Sequence, residues 1–398
     1  MTCLVYSRRW STARARLSGR LPGAPSLSHP RIASDDLAPV LVEVLRGGFC
    51  ESQHRGRWVV LAEDAVLAAG GDYEAEILPR SALKPLQLLP FFAGGGPKKL
   101  GLGPQQRAIL CASHSSDETH IAAVREVLSR SGVPETALAC GAHPPIDVLA
   151  AQRLFRRGEE ARPIHNNCSG KHSGFLARAK QISASLHDYL DPEHPVQAEV
   201  RDVLHRMRGL KLTAESAVFD GCGAPMYAFP LVELAALFRD LAHPEVLPRD
   251  LQEAGEEVYH AFVDAPHFIA GYRAPQQLRL DTALMRATRG ELFCKCGAEG
   301  VFAIGVRRAP GREAMGIAIK SEDGAGRAYE FFVPQLLKAL GLLRGDEADL
   351  AHYFAAPIYN TQARLVGKIQ VPPFELSAPK PLRSPPPLAG RSIRSSGS

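Results

Sequence analysis

The chain contains no apolar run approaching the roughly 18 residues that a membrane-crossing helix needs, so no helical span and no membrane partner are expected. It has too few cysteines for its size to be built on disulfides: Cys3, Cys50, Cys111, Cys140, Cys168, Cys222, Cys294 and Cys296 are scattered over 398 residues. No apolar export segment opens the chain either, which together with the thiols points to a reducing, cytoplasmic setting. The net charge of +5 comes largely from arginine-rich ends, and no basic stripe interleaved with aromatics runs through the middle, which argues against a nucleic-acid partner. Acidic residues are missing from the first 34 positions, where Arg8, Arg9, Arg14, Arg16, Arg20 and Arg31 stand among serines. Such a leader has the composition of an organelle transit peptide, which would make the location organellar, or of a stretch read from an upstream start codon.

What is present has ordinary globular composition, 45% hydrophobic and 22% charged, enough to bury a core unaided. Three regions are expected: a disordered or transit-like leader over 1–36, one catalytic domain over 37–371, and a Pro/Ser-rich disordered tail over 372–398. From Val40, two β-branched apolar stretches joined by polar and glycine-containing residues predict an antiparallel hairpin. Residues 107–208 repeat apolar positions at spacings of three and four, predicting helices. Beyond Leu292 short strand-like runs return, followed by an amphipathic helix in AYEFFVPQLLKALGLL. The economical fold is α+β: an antiparallel sheet built from both chain ends, flanked by helices, with a helical region inserted between.

Ser81 and Lys84 stand three apart in Arg80-Ser81-Ala82-Leu83-Lys84-Pro85, a spacing that sets hydroxyl and amine on one helix face. A serine nucleophile needs a base, and a desolvated lysine can be one; S-x-x-K alone is also a common accident and Ser81 a plausible helix cap. Farther along lie Ser113-His114-Ser115 and Lys295-Cys296-Gly297, the latter just before a strand-like run. S-x-x-K, a central serine and K-x-G follow the order of motifs in serine β-lactamases and penicillin-binding proteins. The third-position Asn of S-D-N is missing, however, and Cys296 replaces the usual Thr or Ser, so penicillin chemistry is not supported in detail. Cys168, Lys171 and His172 sit in the ligand-rich HNNCSGKH, and Cys222 in the turn DGCGAP. The two cysteines are far apart and form no C-x-x-C, so spacing leaves zinc and buried structural thiols both open.

Taken in order, PRSALKPLQ, CASHS, NNCSGKH, DGCGAP and KCGAEG resemble the sequence blocks of the L-asparaginase II family, over about residues 39–371. The resemblance implies a serine β-lactamase-like fold and hydrolysis of L-asparagine to L-aspartate and ammonia. It implies two serine-lysine pairs, Ser81 with Lys84 and Ser113 with Lys295, and a zinc site of Cys168, Lys171 and Cys222. A homodimer is a further implication. Arg80, Asp220 and His172 are candidates for binding substrate, Asp220 through its α-ammonium group; for Asp220 and His172 a purely structural role, hydrogen-bonding a turn, is equally open. Departures from the family pattern in CASHSSDETH and GYRAPQQLRLDTALM are expected to alter the rim of the pocket. A glutaminase, a β-lactamase-like hydrolase, and a silent binder of zinc or amino acids are the competing readings.

Overall fold

A computed structural model describes residues 38–63, 65–354 and 356–376. The expected leader and most of the expected tail lie outside the described residues. Strands β1 (Val40–Arg46), β2 (Phe49–Ala62), β3 (Ala65–Gly70), β4 (Leu292–Gly297), β5 (Val301–Val306), β6 (Met315–Ser321), β7 (Ala356–Tyr359) and β8 (Leu365–Gln370) form one antiparallel sheet. Its order is β4-β5-β6-β2-β1-β8-β7, with β3 also paired to β2. Both chain ends therefore do build the sheet.

The N-terminal hairpin differs from its sequence reading in one respect. The turn is made by Gly47 and Gly48, at φ +53° and +89°, and the polar residues 51–57 belong to β2 and not to a connector. Residues 52–55 pair with β1, and β2 is exposed from Phe49 to Gln53, where polar side chains meet solvent. Gly56 marks the point where β2 passes from β1 to β6; a β-carbon there would lie 2.7 Å from Lys320 O. Strands β4 and β5 are buried on both faces, which explains why they are apolar throughout apart from Lys295 in β4.

The inserted region is helical, as expected. Helix α1 (Lys84–Ala93) is its axle: nine of its ten residues are buried, and it packs on α2 (Ser169–Gln181), α3 (Pro195–Arg208) and α4 (Gln252–Val263). Close approach of α2 depends on two glycines one turn apart. A β-carbon on Gly170 would lie 2.0 Å from Ile109 O, and one on Gly174 would lie 2.4 Å from Leu88 Cδ1. The terminal helix α5 (Gly326–Ala339) covers β1, β2 and β6. Phe374, within the expected tail, packs against Trp58 and Phe332 with ring centroids 6.2 and 5.1 Å apart, so the packed chain extends past the expected boundary.

Candidate active site

Ser81 does not share one continuous α-helix with Lys84. Residues Arg80–Leu83 form a 3-10 turn, entered through Arg80 at φ +51°, and Lys84 begins α1. A left-handed backbone at a non-glycine residue costs roughly 1 kcal/mol or more and needs its surroundings to hold it. Here Arg80 is held by Asp220: its Nε and Nη2 each lie 2.8 Å from Asp220 Oδ1. Gly297, at the end of β4, abuts the same turn, where a β-carbon would meet Pro79 O at 2.6 Å. Lys295 is thereby brought to the turn from within β4, and not from ahead of a strand as its sequence setting suggested.

Lys84 is fully buried, and its amine does not spend its contacts on Ser81. Nζ donates to Ala112 O at 2.5 Å and lies 2.8 Å from Ser113 Oγ. Burial, reinforced by the fields of Lys295 and Lys171, lowers the Lys84 pKa against opposing pulls from Cys168 and Cys222. Ser113 is also buried, whereas Ser81 is partly exposed. Lys295, buried too, donates to Cys296 O at 2.8 Å and stands 3.9 Å from Asp281 Oδ1.

The second cluster lies at the start of α2. Asn166 Oδ1 accepts from Cys168 N at 2.9 Å while its amide donates to Cys140 O at 2.8 Å, fixing the backbone that presents Cys168 and, one turn on, Lys171. Lys171 Nζ reaches Cys222 Sγ at 3.2 Å, and the Cys168 thiol donates to Asn167 Oδ1 at 3.2 Å. Interaction with the Cys168 thiol is the main reason the Cys222 pKa falls to about 5, with Lys171 helping against burial. The same interaction, together with burial, pushes Cys168 up to about 12. Burial would lower Lys171, but Cys222, Cys168 and Asp220 outweigh it and its pKa is raised. Two sulfurs and one amine converge without a disulfide, a donor set that suits zinc.

His172 adds an orphan: its Nδ1 contacts Tyr189 Oη at 2.7 Å, while Nε2 is buried with no hydrogen-bond partner. Burial first, then Lys171, lowers its pKa to about 3, so the ring is neutral at physiological pH. Asp220 stays ionised because Lys171 and Arg80 overcome the effect of burial. All seven residues implied as serine-lysine and metal groups therefore belong to one neighbourhood, with Arg80, Asp220 and His172 around them.

The family model for L-asparaginase II matches residues 42–371. The chain belongs to the L-asparaginase II family. No curated protein matches its sequence. Among solved structures it is similar to a Bacillus subtilis glutaminase in covalent complex with 5-oxo-L-norleucine, at 13% identity, TM-score 0.34, covering 72% of this chain and 88% of that one. It is also similar to a Mycobacterium bovis β-lactamase, at 15% identity, TM-score 0.39, covering 75% of this chain and 94% of that one. Likenesses this loose carry no inference about the asparaginase II chain.

Two groups of site residues were missed in the sequence because they lie in segments expected to form the rim. Arg279 is buried and donates to Ser113 O, to Ala270 O at 3.2 Å and to Cys296 Sγ at 3.4 Å. Asp281 accepts from Cys296 N at 2.7 Å and is the acidic neighbour of Lys295. Ser115 donates to Ala270 O and Ser116 to His165 O, each at 2.7 Å. These side chains are interior framework for Ser113 and Lys295, so the departures from the family pattern fall behind the site and not only on its edge. Asp-Thr at 281–282 opening a helix was the one signal that could have found them. Among the described residues, no helix is long and apolar enough to cross a membrane.

Proposed function

We propose that this amidohydrolase is an L-asparaginase that cleaves the side-chain amide of L-asparagine to L-aspartate and ammonia. The observation that carries the proposal is the fully buried Lys84 amine, 2.8 Å from Ser113 Oγ, with its pKa driven down by burial and by two other lysines. A neutral amine so placed can accept a hydroxyl proton, which an ordinary ammonium cannot.

Ser81 is the nucleophile in this reading. It is the more accessible serine, one turn ahead of Lys84, whereas Ser113 is enclosed and already engaged by that amine. Ser81 Oγ attacks the amide carbon, its proton passes to Lys84, and Ser113 hands a proton on to the departing ammonia. Water then cleaves the acyl-enzyme with Lys84 again as base, releasing aspartate. Lys295 keeps Lys84 neutral and favours the developing oxyanion by its charge.

Asp220 receives the α-ammonium of the substrate, and Arg80, held by Asp220, contributes positive charge toward its carboxylate. Cys168, Lys171 and Cys222 would hold zinc, which when bound supplies a fixed positive charge that orients substrate. The unpartnered His172 Nε2 is the polar atom left to meet either substrate or the metal's surroundings.

The test is ammonia release from asparagine and from glutamine by the full chain, followed by acyl-enzyme trapping in Ser81→Ala and Ser113→Ala. Asparagine turnover, with the adduct lost only in Ser81→Ala, is expected. An adduct that persists in Ser81→Ala assigns the attack to Ser113, and preference for glutamine reassigns the substrate.

A further inference from the structure

A separate cluster stands beside the segment that carries Ser113. Asp117 caps the helix Glu118–Ser131, and His120 lies on its first turn; His267 approaches from the short helix Pro266–Ile269. Ligand-capable atoms of the three residues all lie within 4.8 Å of one another. The rings of His114, His120 and His267 form a stack, with centroids 5.4 and 4.8 Å apart. Gly271 closes over it; a β-carbon there would lie 2.6 Å from His120 Cε1.

The hydrogen bonds leave one atom unaccounted for. His120 Nε2 lies 3.0 Å from His267 O, and a carbonyl can only accept, so Nε2 carries the proton. In a neutral ring Nδ1 is then a bare lone pair. It faces Asp117 Oδ1 at 3.0 Å, yet is buried without a hydrogen-bond partner. Asp117 Oδ1 has no need of it: it accepts from Thr119 N at 2.9 Å, Thr119 Oγ1 at 2.6 Å and His120 N at 3.0 Å. A lone pair and a carboxylate in contact repel unless something positive lies between them. An imidazolium would place its second proton beside an oxygen that is already saturated.

We propose that Asp117, His120 and His267 bind a first-row divalent cation such as Zn2+, through Asp117 carboxylate oxygen, His120 Nδ1 and His267 Nε2, with solvent completing the shell. Two imidazoles and a carboxylate are a common donor set for such ions. Asp117 Oδ2 lies 3.1 Å from His267 Nε2, close to the roughly 3 Å that separates two ligands each about 2.1 Å from one ion. His267 is the most exposed of the three. Binding displaces the proton of His267 Nε2, which passes to solvent. Occupancy would tie the 113–117 segment to the 266–271 segment, whose Ile269 O already accepts from Ser113 N at 2.9 Å.

Co2+ added to the metal-free full chain tests this, since thiolate ligands give an intense charge-transfer band that nitrogen and oxygen ligands lack. We expect about one equivalent bound without that band, lost in His267→Phe while any thiolate band is unchanged. Zinc should also shift the resonance of an unprotonated His120 Nδ1. Absence of band-free cobalt uptake, uptake unaffected by His267→Phe, or a His120 already protonated on both nitrogens and indifferent to zinc would overturn the proposal.

Discussion

Lys84 and Lys171 are the same residue type, both fully buried and close enough to feel each other's charge, yet they are driven in opposite directions. Around Lys84 the hydrogen-bonding atoms are a carbonyl and a hydroxyl, and the nearby cations add to burial, so the amine is pushed toward neutrality. Around Lys171 stand Cys222, Cys168 and Asp220, which hold it charged in the metal-free protein. Burial alone therefore does not make a lysine a base. The sign of the neighbouring charges decides between a proton acceptor and a counter-ion that gives up its proton only to a metal.

The sharpest way to break the comparison is to remove each amine. Lys84→Met should lower kcat for asparagine by about 10²–10⁴-fold, the usual contribution of a general base. Lys171→Met should act mainly on zinc content and KM; equal loss of kcat in both variants would erase the distinction.

A packing change comes next. Gly170→Ala places a β-carbon against Ile109 O and should destabilise the protein by about 1–3 kcal/mol in denaturant unfolding. Because α2 carries Lys171, zinc content should fall with it, whereas Lys84 stands on α1 and Ser81 on the turn that precedes it.

The pH profile sharpens the Lys84 side. A base whose pKa is lowered becomes active as pH rises through a value below that of ordinary lysine, so the acidic limb of kcat/KM should lie below about 10. Removing a neighbouring cation in Lys295→Met should raise the Lys84 pKa and move that limb upward. A limb that stays in place would mean that burial alone sets the proton state.

The smallest effect concerns the thiol cluster. Cys222 is already a thiolate at neutral pH, whereas Cys168 and Lys171 are protonated. Zinc uptake should therefore release about two protons and strengthen with rising pH, as calorimetry in buffers of different ionisation enthalpy would show.

Much of this protein was legible in its residue order. The return of β-branched runs at both ends of the chain, with three- and four-spaced apolar residues between, determined a sheet of both termini around a helical insert, because those periods decide which faces can be buried. The five motif blocks, through their resemblance to the asparaginase II family, pointed to Ser81, Lys84, Ser113, Lys295, Cys168, Lys171 and Cys222 without any coordinates. Tertiary structure alone decided that the Lys84 amine meets Ser113, that Asp281 stands beside Lys295, that Arg279 lies behind the serine, and that His267 comes to Asp117 and His120. Each of those contacts joins residues 14 to 166 positions apart, and proton states follow the through-space field of such neighbours, which falls with distance and not with separation along the chain.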